Sequence, residues 1–171
     1  MEKVEKKPKK RMTKDTIPEG FTIPLVIVDA IPVLFFLLSI ILFSLKMFSS
    51  YFIILGGIIC FISGIIKIIW KLIVATKKKN IWWMFVQMRI FMPIGFTILI
   101  LGFILGWKYY SYLILNASFY SRLFFTLSII GMSLMSLFAI ILDASDHKVN
   151  WLEQITNSIS QASICLAIIY L

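Results

Sequence analysis

Five long apolar stretches, separated by short polar segments, dominate the pattern of hydrophobic and polar positions along this chain. They cover about residues 22–45, 51–76, 90–107, 122–142 and 152–171. Each is close to the ~20 residues that an α-helix needs to cross ~30 Å of hydrocarbon. Within lipid, every backbone N–H and C=O needs a partner in its own segment, so such stretches must be helices. The pattern therefore predicts an all-α integral membrane protein whose residues 21–171 form a bundle of about five transmembrane helices.

The amino-acid composition also favours a membrane protein over a soluble one. The chain has 171 residues, of which 60% are hydrophobic and 15% aromatic, whereas soluble domains are roughly 45 to 50% apolar. A soluble domain of this length could not bury so many apolar side chains. Both cysteines, Cys60 and Cys165, fall inside apolar stretches, so we expect no disulfide framework.

Residues 1–20 form a strongly basic tail directly before the first apolar stretch. Its basic residues are Lys3, Lys6, Lys7, Lys9, Lys10, Arg11 and Lys14. Beside a transmembrane helix, such a tail is expected to lie against anionic lipid headgroups, where each Lys or Arg contributes about 1 kcal/mol. We therefore expect the lipid bilayer, and no nucleic acid, as the partner of this segment.

The distribution of basic residues between the loops predicts the orientation of the chain. With a cytoplasmic N-terminus, the cytoplasmic side holds the seven residues of the tail together with Lys77, Lys78, Lys79, Arg89 and Lys148. The opposite side holds Lys46, Lys108 and Arg122. Because cytoplasmic loops carry an excess of Lys and Arg, the N-terminus is predicted to be cytoplasmic. Frequent Ile, Lys and Phe suggest an AT-rich genome, so a bacterial plasma membrane is the expected location.

Three charged residues lie within apolar stretches, where each charge costs about 2.5 to 3.5 kcal/mol on insertion scales. At about 1.5 Å of rise per residue, Asp29 lies roughly 10 Å deep, and Lys67 and Lys71 lie roughly 14 and 8 Å deep. The two lysines are four residues apart and share one helix face. The sequence therefore predicts that Asp29 contacts this face. The contact is either a structural ion pair, with Lys71 snorkelling to the interface, or part of a site that binds an anion or moves a proton.

A second polar group precedes and begins the last apolar stretch. In a helical conformation, Asp143, Asp146 and His147 would lie at positions i, i+3 and i+4 and could face a divalent cation. Three polar residues in a loop are more often simply solvated, so we predict no metal site. The second acidic motif of enzymes that act on metal-bound diphosphates is also missing from the sequence.

The fifth apolar stretch has one polar face and one apolar face. Glu153, Asn157, Ser160 and Gln161 recur at three- and four-residue spacing, whereas Ile155, Ile159, Ala162 and Leu166 lie elsewhere on the helix. A face with a carboxylate and two amides is unfavourable against lipid, so it should point into the bundle. There it either fixes helix packing through hydrogen bonds or lines a polar cavity.

The polar residues of the apolar stretches and their flanking loops concentrate in the half of the bundle that is predicted to be cytoplasmic. The candidate ligand-binding residues are Asp29, Lys67, Lys71, Arg89, Asp143, Asp146, His147, Glu153, Asn157 and Gln161. Gln87 lies in the same half, and the opposite half is almost wholly apolar. This asymmetry favours a vestibule that opens toward the cytoplasm over a continuous pore.

Three functions are compatible with this pattern. The leading hypothesis is a small membrane protein that binds or transports a solute or ion through a charged, cytoplasm-facing cavity, as an oligomer or with a partner membrane protein. The first alternative is an accessory or assembly subunit whose polar groups dock against another membrane protein. The second is a membrane-embedded enzyme that acts on lipid. No cofactor motif, phosphate-binding loop or catalytic motif is found in the sequence, so no catalytic residue and no cofactor are predicted.

Overall fold

The computed structural model of this chain is all-helical in the part that it describes, which comprises residue 17 and residues 21–46, 51–141 and 147–171. This part contains six helices and no strand. They are α1 (Ile23–Lys46), α2 (Tyr51–Lys77), α3 (Trp82–Leu105), α4 (Trp107–Leu115), α5 (Phe119–Ile141) and α6 (His147–Ile169). The predicted basic tail, residues 1–20, lies outside the described residues apart from Ile17.

Among the described residues, four helices are long and apolar enough to cross a membrane: α1, α2, α3 and the Phe119–Phe138 part of α5. Many of their large apolar side chains face outward; Ile27 is 61% exposed, Leu34 59% and Ile104 62%. Contiguous apolar surface on this scale is rare on soluble monomers. The four helices therefore suggest a lipid bilayer environment and a multi-pass membrane protein.

The helix α6 has 23 residues, the length of a membrane span, but its first half is too polar to belong to the apolar group. It is nevertheless part of the bundle, because it packs against α1 and α5. Asn150 and Gln154 are buried, whereas Ile155 and Ile159 are 47% and 61% exposed. The polar side of α6 therefore faces the other helices, and its apolar side faces outward.

The order of the helices in space differs from their order in the chain. The helix α2 packs against α3 on one side and α1 on the other, α1 packs against α6, and α6 packs against α5. Alternate directions of the chain bring the starts of α1, α3 and α6 and the end of α2 to one end of the bundle. We call this the charged end, because the buried charged residues lie toward it.

Two apolar clusters hold the two ends of the bundle. Toward the charged end, Phe21, Leu25, Trp70 and Phe85 pack together with Trp151 of α6. At the opposite end the cluster contains Phe43, Ile53, Cys60, Leu99, Tyr110 and Ile168. Clusters of aromatic and branched side chains leave few voids larger than a water molecule. The second cluster therefore forms a packed apolar core at the end away from the buried charges.

The tight contact between α2 and α3 depends on glycine. A Cβ atom added to Gly56 would lie 2.6 Å from the Gly95 carbonyl oxygen, and one added to Gly95 would lie 2.7 Å from the Cys60 Sγ. Small residues let membrane helices approach until their backbones touch. These two positions therefore need glycine for a steric reason.

Small residues also line the contact between α5 and α6. Ser121 and Ser128 of α5 and Ser160 of α6 are at most 1% exposed. The Ser121 hydroxyl donates a hydrogen bond to the Ala167 carbonyl oxygen at 2.8 Å. A Cβ atom added to Gly131 would lie 1.9 Å from the Ser160 Oγ. We call this contact the serine seam, and most of the remaining surface of α5 is exposed.

Several helix boundaries differ from those expected from the sequence. The helix α3 begins at Trp82 rather than at residue 90, so the aromatic segment before the predicted span forms its first turns. The helix α6 begins at His147 rather than at residue 152. Residues 108–115, expected to belong to a loop, form the short helix α4 (Trp107–Leu115) together with the last residue of the predicted third span. Its Tyr110 ring lies 5.4 Å from those of Phe43 and Phe103, and this aromatic packing fixes α4 against the bundle.

Candidate functional site

A buried cluster of one carboxylate and two ammonium groups lies between α1 and α2. Asp29 is 2% exposed, and its Oδ2 lies 2.9 Å from the Lys71 Nζ. Its Oδ1 lies 3.5 Å from the Lys67 Nζ. The predicted contact between Asp29 and the face that carries both lysines is therefore present. With all three groups ionised, the cluster carries one excess positive charge.

The two lysines occupy different environments. The Lys71 side chain is 6% exposed, whereas that of Lys67 is 25% exposed. The Lys71 Nζ also lies 5.4 Å from the centre of the Phe21 ring, within the range of a cation–π contact. Lys71 is therefore the inner partner of Asp29, and Lys67 is the outer one.

Lys67 borders a cavity of about 140 Å³, which we call the charged cavity. Its lining residues are Phe21, Lys67, Trp70, Lys71, Met84, Phe85, Met88, Asn150, Glu153 and Gln154. The helices α2, α3 and α6 contribute the walls. A larger groove of about 350 Å³ on the outside of α2 is lined by Tyr51, Phe52, Ile54, Leu55 and Ile58. That groove is almost wholly apolar, as expected of a surface that faces lipid.

The wall that α6 contributes to the charged cavity carries a carboxylate and two amides. Glu153 is half-buried and interacts electrostatically with Lys67 and Lys71, although it forms no direct ion pair with either in the described structure. Gln154 is 4% exposed, and its Oε1 has no hydrogen-bond partner among the described residues. A buried polar atom without a partner is uncommon and calls for a physical explanation.

Gln87, on α3, is a structural link between helices. The Ser63 hydroxyl donates to the Gln87 Oε1 at 3.2 Å, and the Gln87 Nε2 donates to the carbonyl oxygens of Ser63 and Met84 at 3.3 and 3.2 Å. Both ends of the amide are therefore satisfied within the protein. This side chain fixes α3 against α2 and does not line the charged cavity.

Arg89 does not lie among the residues of the charged cavity. Its side chain is exposed on the outside of α3, and its guanidinium lies 4.7 Å from the centre of the Phe85 ring. Because helical side chains point toward the N-terminus of their helix, Arg89 reaches back one turn toward the charged end. Such an orientation is typical of an arginine that snorkels toward lipid headgroups.

The remaining predicted site residues either do not line the charged cavity or lie outside the residues that the structure describes. Asn157 and Gln161 are half-buried farther along α6, and the Gln161 Oε1 has no partner among the described residues. Asp143 and Asp146 lie outside the described residues, as does the side chain of His147. In the part of the chain that the structure describes, no three His, Cys, Asp or Glu residues cluster as metal ligands would.

The aromatic and methionine wall of the charged cavity, together with Asn150 and Gln154, was not predicted to contribute to a site. Asn150, Gln154, Asn157 and Gln161 recur at intervals of four, three and four residues, the spacing of one helix face. This spacing could have identified Gln154 as part of the polar face of α6. The apolar wall gave no such signal, because Trp70, Met84 and Phe85 resemble ordinary core residues.

Comparisons with known protein families, curated proteins and solved structures find no significant match to this chain. The fold and the site define an all-helical chain with four candidate membrane spans and a charged cavity among its helices. Since function depends on sites rather than on folds, any function has to be inferred from this cavity.

Proposed function

We propose that this chain is a plasma-membrane protein that binds a small solute in the charged cavity. The solute enters this cavity from the cytoplasm. In this proposal the bundle has five spans, with α6 as the fifth. Two observations support the fifth span: the length of α6, and its packing against α1 and α5 with its polar side inward. A bacterial inner membrane remains the membrane that we expect.

The charge distribution supports a cytoplasmic position for the charged end. The tail and the loop after α2 contribute most of the basic residues, whereas Lys46, Lys108 and Arg122 belong to the opposite side. By the positive-inside rule, the charged end faces the cytoplasm. The cluster that contains Phe43 and Tyr110 packs the other end, so transport across the membrane would require this cluster to rearrange.

The observation that carries the proposal is the unequal sharing of Asp29 by Lys67 and Lys71. If Lys67 turned toward a solute, Asp29 would keep its ion pair with Lys71 at 2.9 Å. Leaving a buried charge without a partner is strongly unfavourable, but this arrangement avoids that cost. The cluster can therefore offer the Lys67 ammonium to an anionic group and remain paired. A purely structural ion pair would need only one lysine.

The surroundings of Lys67 would strengthen such binding. An attraction between opposite charges is stronger in a medium of low dielectric constant than in water. The charged cavity is walled by Trp70, Phe85 and Met88, which lower the local polarity. A bound anionic group would therefore interact with Lys67 more strongly than it would with an exposed surface lysine.

Binding to purified protein in mild detergent tests this function. The probes are inorganic phosphate, a series of small carboxylates and the common amino acids, screened first by the shift of the thermal unfolding midpoint and then by calorimetry. Hydrogen bonds to charged groups contribute about 1.5 to 3 kcal/mol, so Lys67→Gln should weaken binding of a bound probe about tenfold or more.

The matched control is Lys77→Gln, which removes an exposed lysine at the end of the same helix. This variant should bind the probe like the unmodified protein. Native mass spectrometry of the purified protein adds a direct search for bound small molecules. Equal affinity of the Lys67→Gln variant and the unmodified protein for every bound probe would contradict the assigned role of Lys67.

A second function, that of an accessory subunit, is favoured by the position of Arg89. Its guanidinium is exposed on the outside of a membrane-spanning helix and contacts Phe85, with no ion pair among the described residues. An acidic residue of a partner membrane protein, or of a second copy of the chain, would suit it. Native mass spectrometry would then show a complex that Arg89→Gln dissociates.

A further inference from the structure

We propose that the solute of the charged cavity is a small zwitterion, with its anionic group at Lys67 and its ammonium group at Glu153 and Gln154. This inference rests on the proposed function and specifies its class of substrate. The inference comes from the charges on two of the cavity walls, those formed by α2 and α6. Lys67 lies on the wall formed by α2, and Glu153 and Gln154 lie on the wall formed by α6.

Four ionisable groups, buried or half-buried, lie around the cavity, and their charges sum to zero when all four are ionised. Asp29 and Glu153 are acidic, and Lys67 and Lys71 are basic, so the ionised set has no net charge. A simple anion would approach Lys67 but be repelled by Glu153, and a simple cation would approach Glu153 but be repelled by Lys67. A zwitterion satisfies both groups and leaves the site neutral, which a low-dielectric environment favours.

Glu153 and Lys67 attract each other but form no direct ion pair. Lys67 instead contacts Asp29, and Glu153 has no cationic partner in direct contact within the described structure. The space between the two walls is therefore bounded by a donor on one side and an acceptor on the other. The same two groups would contact the two ends of a zwitterion.

Gln154 provides an independent observation on the acceptor side. Its side chain lines the cavity and is buried, yet its Oε1 lacks a hydrogen-bond partner among the described residues. An amide oxygen accepts hydrogen bonds, so the group that would satisfy it is a donor such as an ammonium N–H. Glu153 and Gln154 both line the cavity, so the α6 wall presents a carboxylate and an amide.

The aromatic wall lowers the polarity around the site. The Trp70 Nε1 donates to the Asn80 Oδ1 at 3.1 Å, which fixes the indole ring beside the cavity. The Phe85 ring lies 5.2 Å from it, centre to centre. Opposite charges attract each other more strongly in a medium of low dielectric constant than in water. The wall therefore strengthens the contacts of both charged ends of the solute.

The size of the cavity restricts the zwitterion to small molecules. A cavity of about 150 Å³ holds benzene, and the charged cavity has about 140 Å³. A solute with roughly six non-hydrogen atoms therefore fits. Small amino acids have this size and carry both charges, whereas a nucleotide or a whole phospholipid would extend beyond the cavity.

The test compares probes of one four-carbon skeleton that carry both charges, only the negative charge or only the positive charge. The set is 4-aminobutyrate, butyrate and butylamine, together with the twenty common amino acids, titrated into the purified full-length protein by calorimetry. We expect at least one amino acid to bind at least tenfold more tightly than the carboxylate or the amine of the same carbon skeleton. Glu153→Gln and Lys67→Gln should each weaken that binding about tenfold, whereas Lys77→Gln should leave it unchanged.

The possible failures of the two proposals can be told apart. If butyrate or inorganic phosphate binds at least as tightly as any amino acid, and Glu153→Gln preserves or improves that binding, the zwitterion inference is wrong and the anion site stands. If no probe binds and native mass spectrometry finds no small molecule, both proposals are wrong. Glu153→Gln preserves the size of the side chain, and size-exclusion chromatography and the unfolding midpoint verify that each variant is folded.

Discussion

The Lys71 ammonium and the Asp29 carboxylate lie 2.9 Å apart between α1 and α2, and both side chains are almost completely buried. Lys67 contacts the same carboxylate at 3.5 Å but is one-quarter exposed. Removal of one partner of a buried ion pair leaves the other charge uncompensated, which typically costs about 3 to 5 kcal/mol. The two lysines should therefore differ in their contribution to stability.

We expect Asp29→Asn to lower the free energy of unfolding by about 3 kcal/mol or more. Double-mutant cycles with Lys71→Met and with Lys67→Met separate the two contacts. Residues in direct contact show coupling energies of about 0.5 to 3 kcal/mol, and the cycle with Lys71 should give the larger value. The measurement is thermal or chemical unfolding in mild detergent. Additive effects in both cycles would contradict the ion pairs.

The location of this charged cluster was predictable because ionised side chains are rare within apolar helices. Helical rise gave Asp29 a depth between those of Lys67 and Lys71, and a short connection between the first two helices placed them side by side. The structure shows this arrangement. The expectation that Lys71 snorkels to the interface was wrong: its side chain is 6% exposed, whereas that of Lys67 is 25% exposed. The exposure of each lysine depends on how the neighbouring segments pack, which the sequence pattern does not record.

Other features depended on packing that sequence patterns do not record. Arg89 was expected before the third span and among the ligand-binding residues, but α3 begins at Trp82, so Arg89 lies within this helix. Its side chain is exposed and lies over the Phe85 ring. Residues 108–115 of α4 were expected to belong to a loop, since they lie between the third and fourth apolar stretches. The position of α4 depends on the insertion of Tyr110 between Phe43 and Phe103.

The contact between α2 and α3 should not tolerate a methyl group at Gly56. The added Cβ would lie 2.6 Å from the backbone oxygen of Gly95, so the helices would have to separate. Overpacking of this kind typically costs about 1 to 3 kcal/mol, and we expect Gly56→Ala to lower the unfolding midpoint. Leu55→Ala, on the exposed face one residue away, is the control. A smaller effect for Gly56→Ala than for Leu55→Ala would contradict the close approach.

We expect Gly131→Ala to disrupt the serine seam between α5 and α6, and a second substitution at Ser160 to restore part of the lost stability. The new Cβ would lie 1.9 Å from the Ser160 Oγ, so Gly131→Ala should destabilise the protein. Replacing Ser160 by glycine in the same chain removes the clash at a cost below about 1 kcal/mol of helix propensity. We therefore expect partial recovery of the unfolding midpoint. Ser133→Ala, on the exposed side of α5, should be nearly silent, and absence of recovery would mean that the seam is packed differently.

The final prediction concerns the number of spans and their orientation. Five spans with a cytoplasmic N-terminus place Lys79 inside the cell and both Lys108 and Leu171 outside, whereas four spans would place Leu171 inside. Single cysteines at these positions can be labelled in intact cells with a thiol reagent that does not cross the membrane. Cys60 and Cys165 are buried and should add little background.

We expect Lys108→Cys and Leu171→Cys to react in intact cells, and Lys79→Cys to react only after the cells are permeabilised. The reason is that the excess of Lys and Arg near Lys79 holds that loop in the cytoplasm, and that α6, with 23 residues, is long enough to cross ~30 Å of hydrocarbon. Labelling of Lys79→Cys without permeabilisation would reverse the orientation. If Leu171→Cys reacts only after permeabilisation while Lys108→Cys reacts in intact cells, α6 does not cross the membrane, and the charged cavity cannot have the five-span surroundings proposed for it.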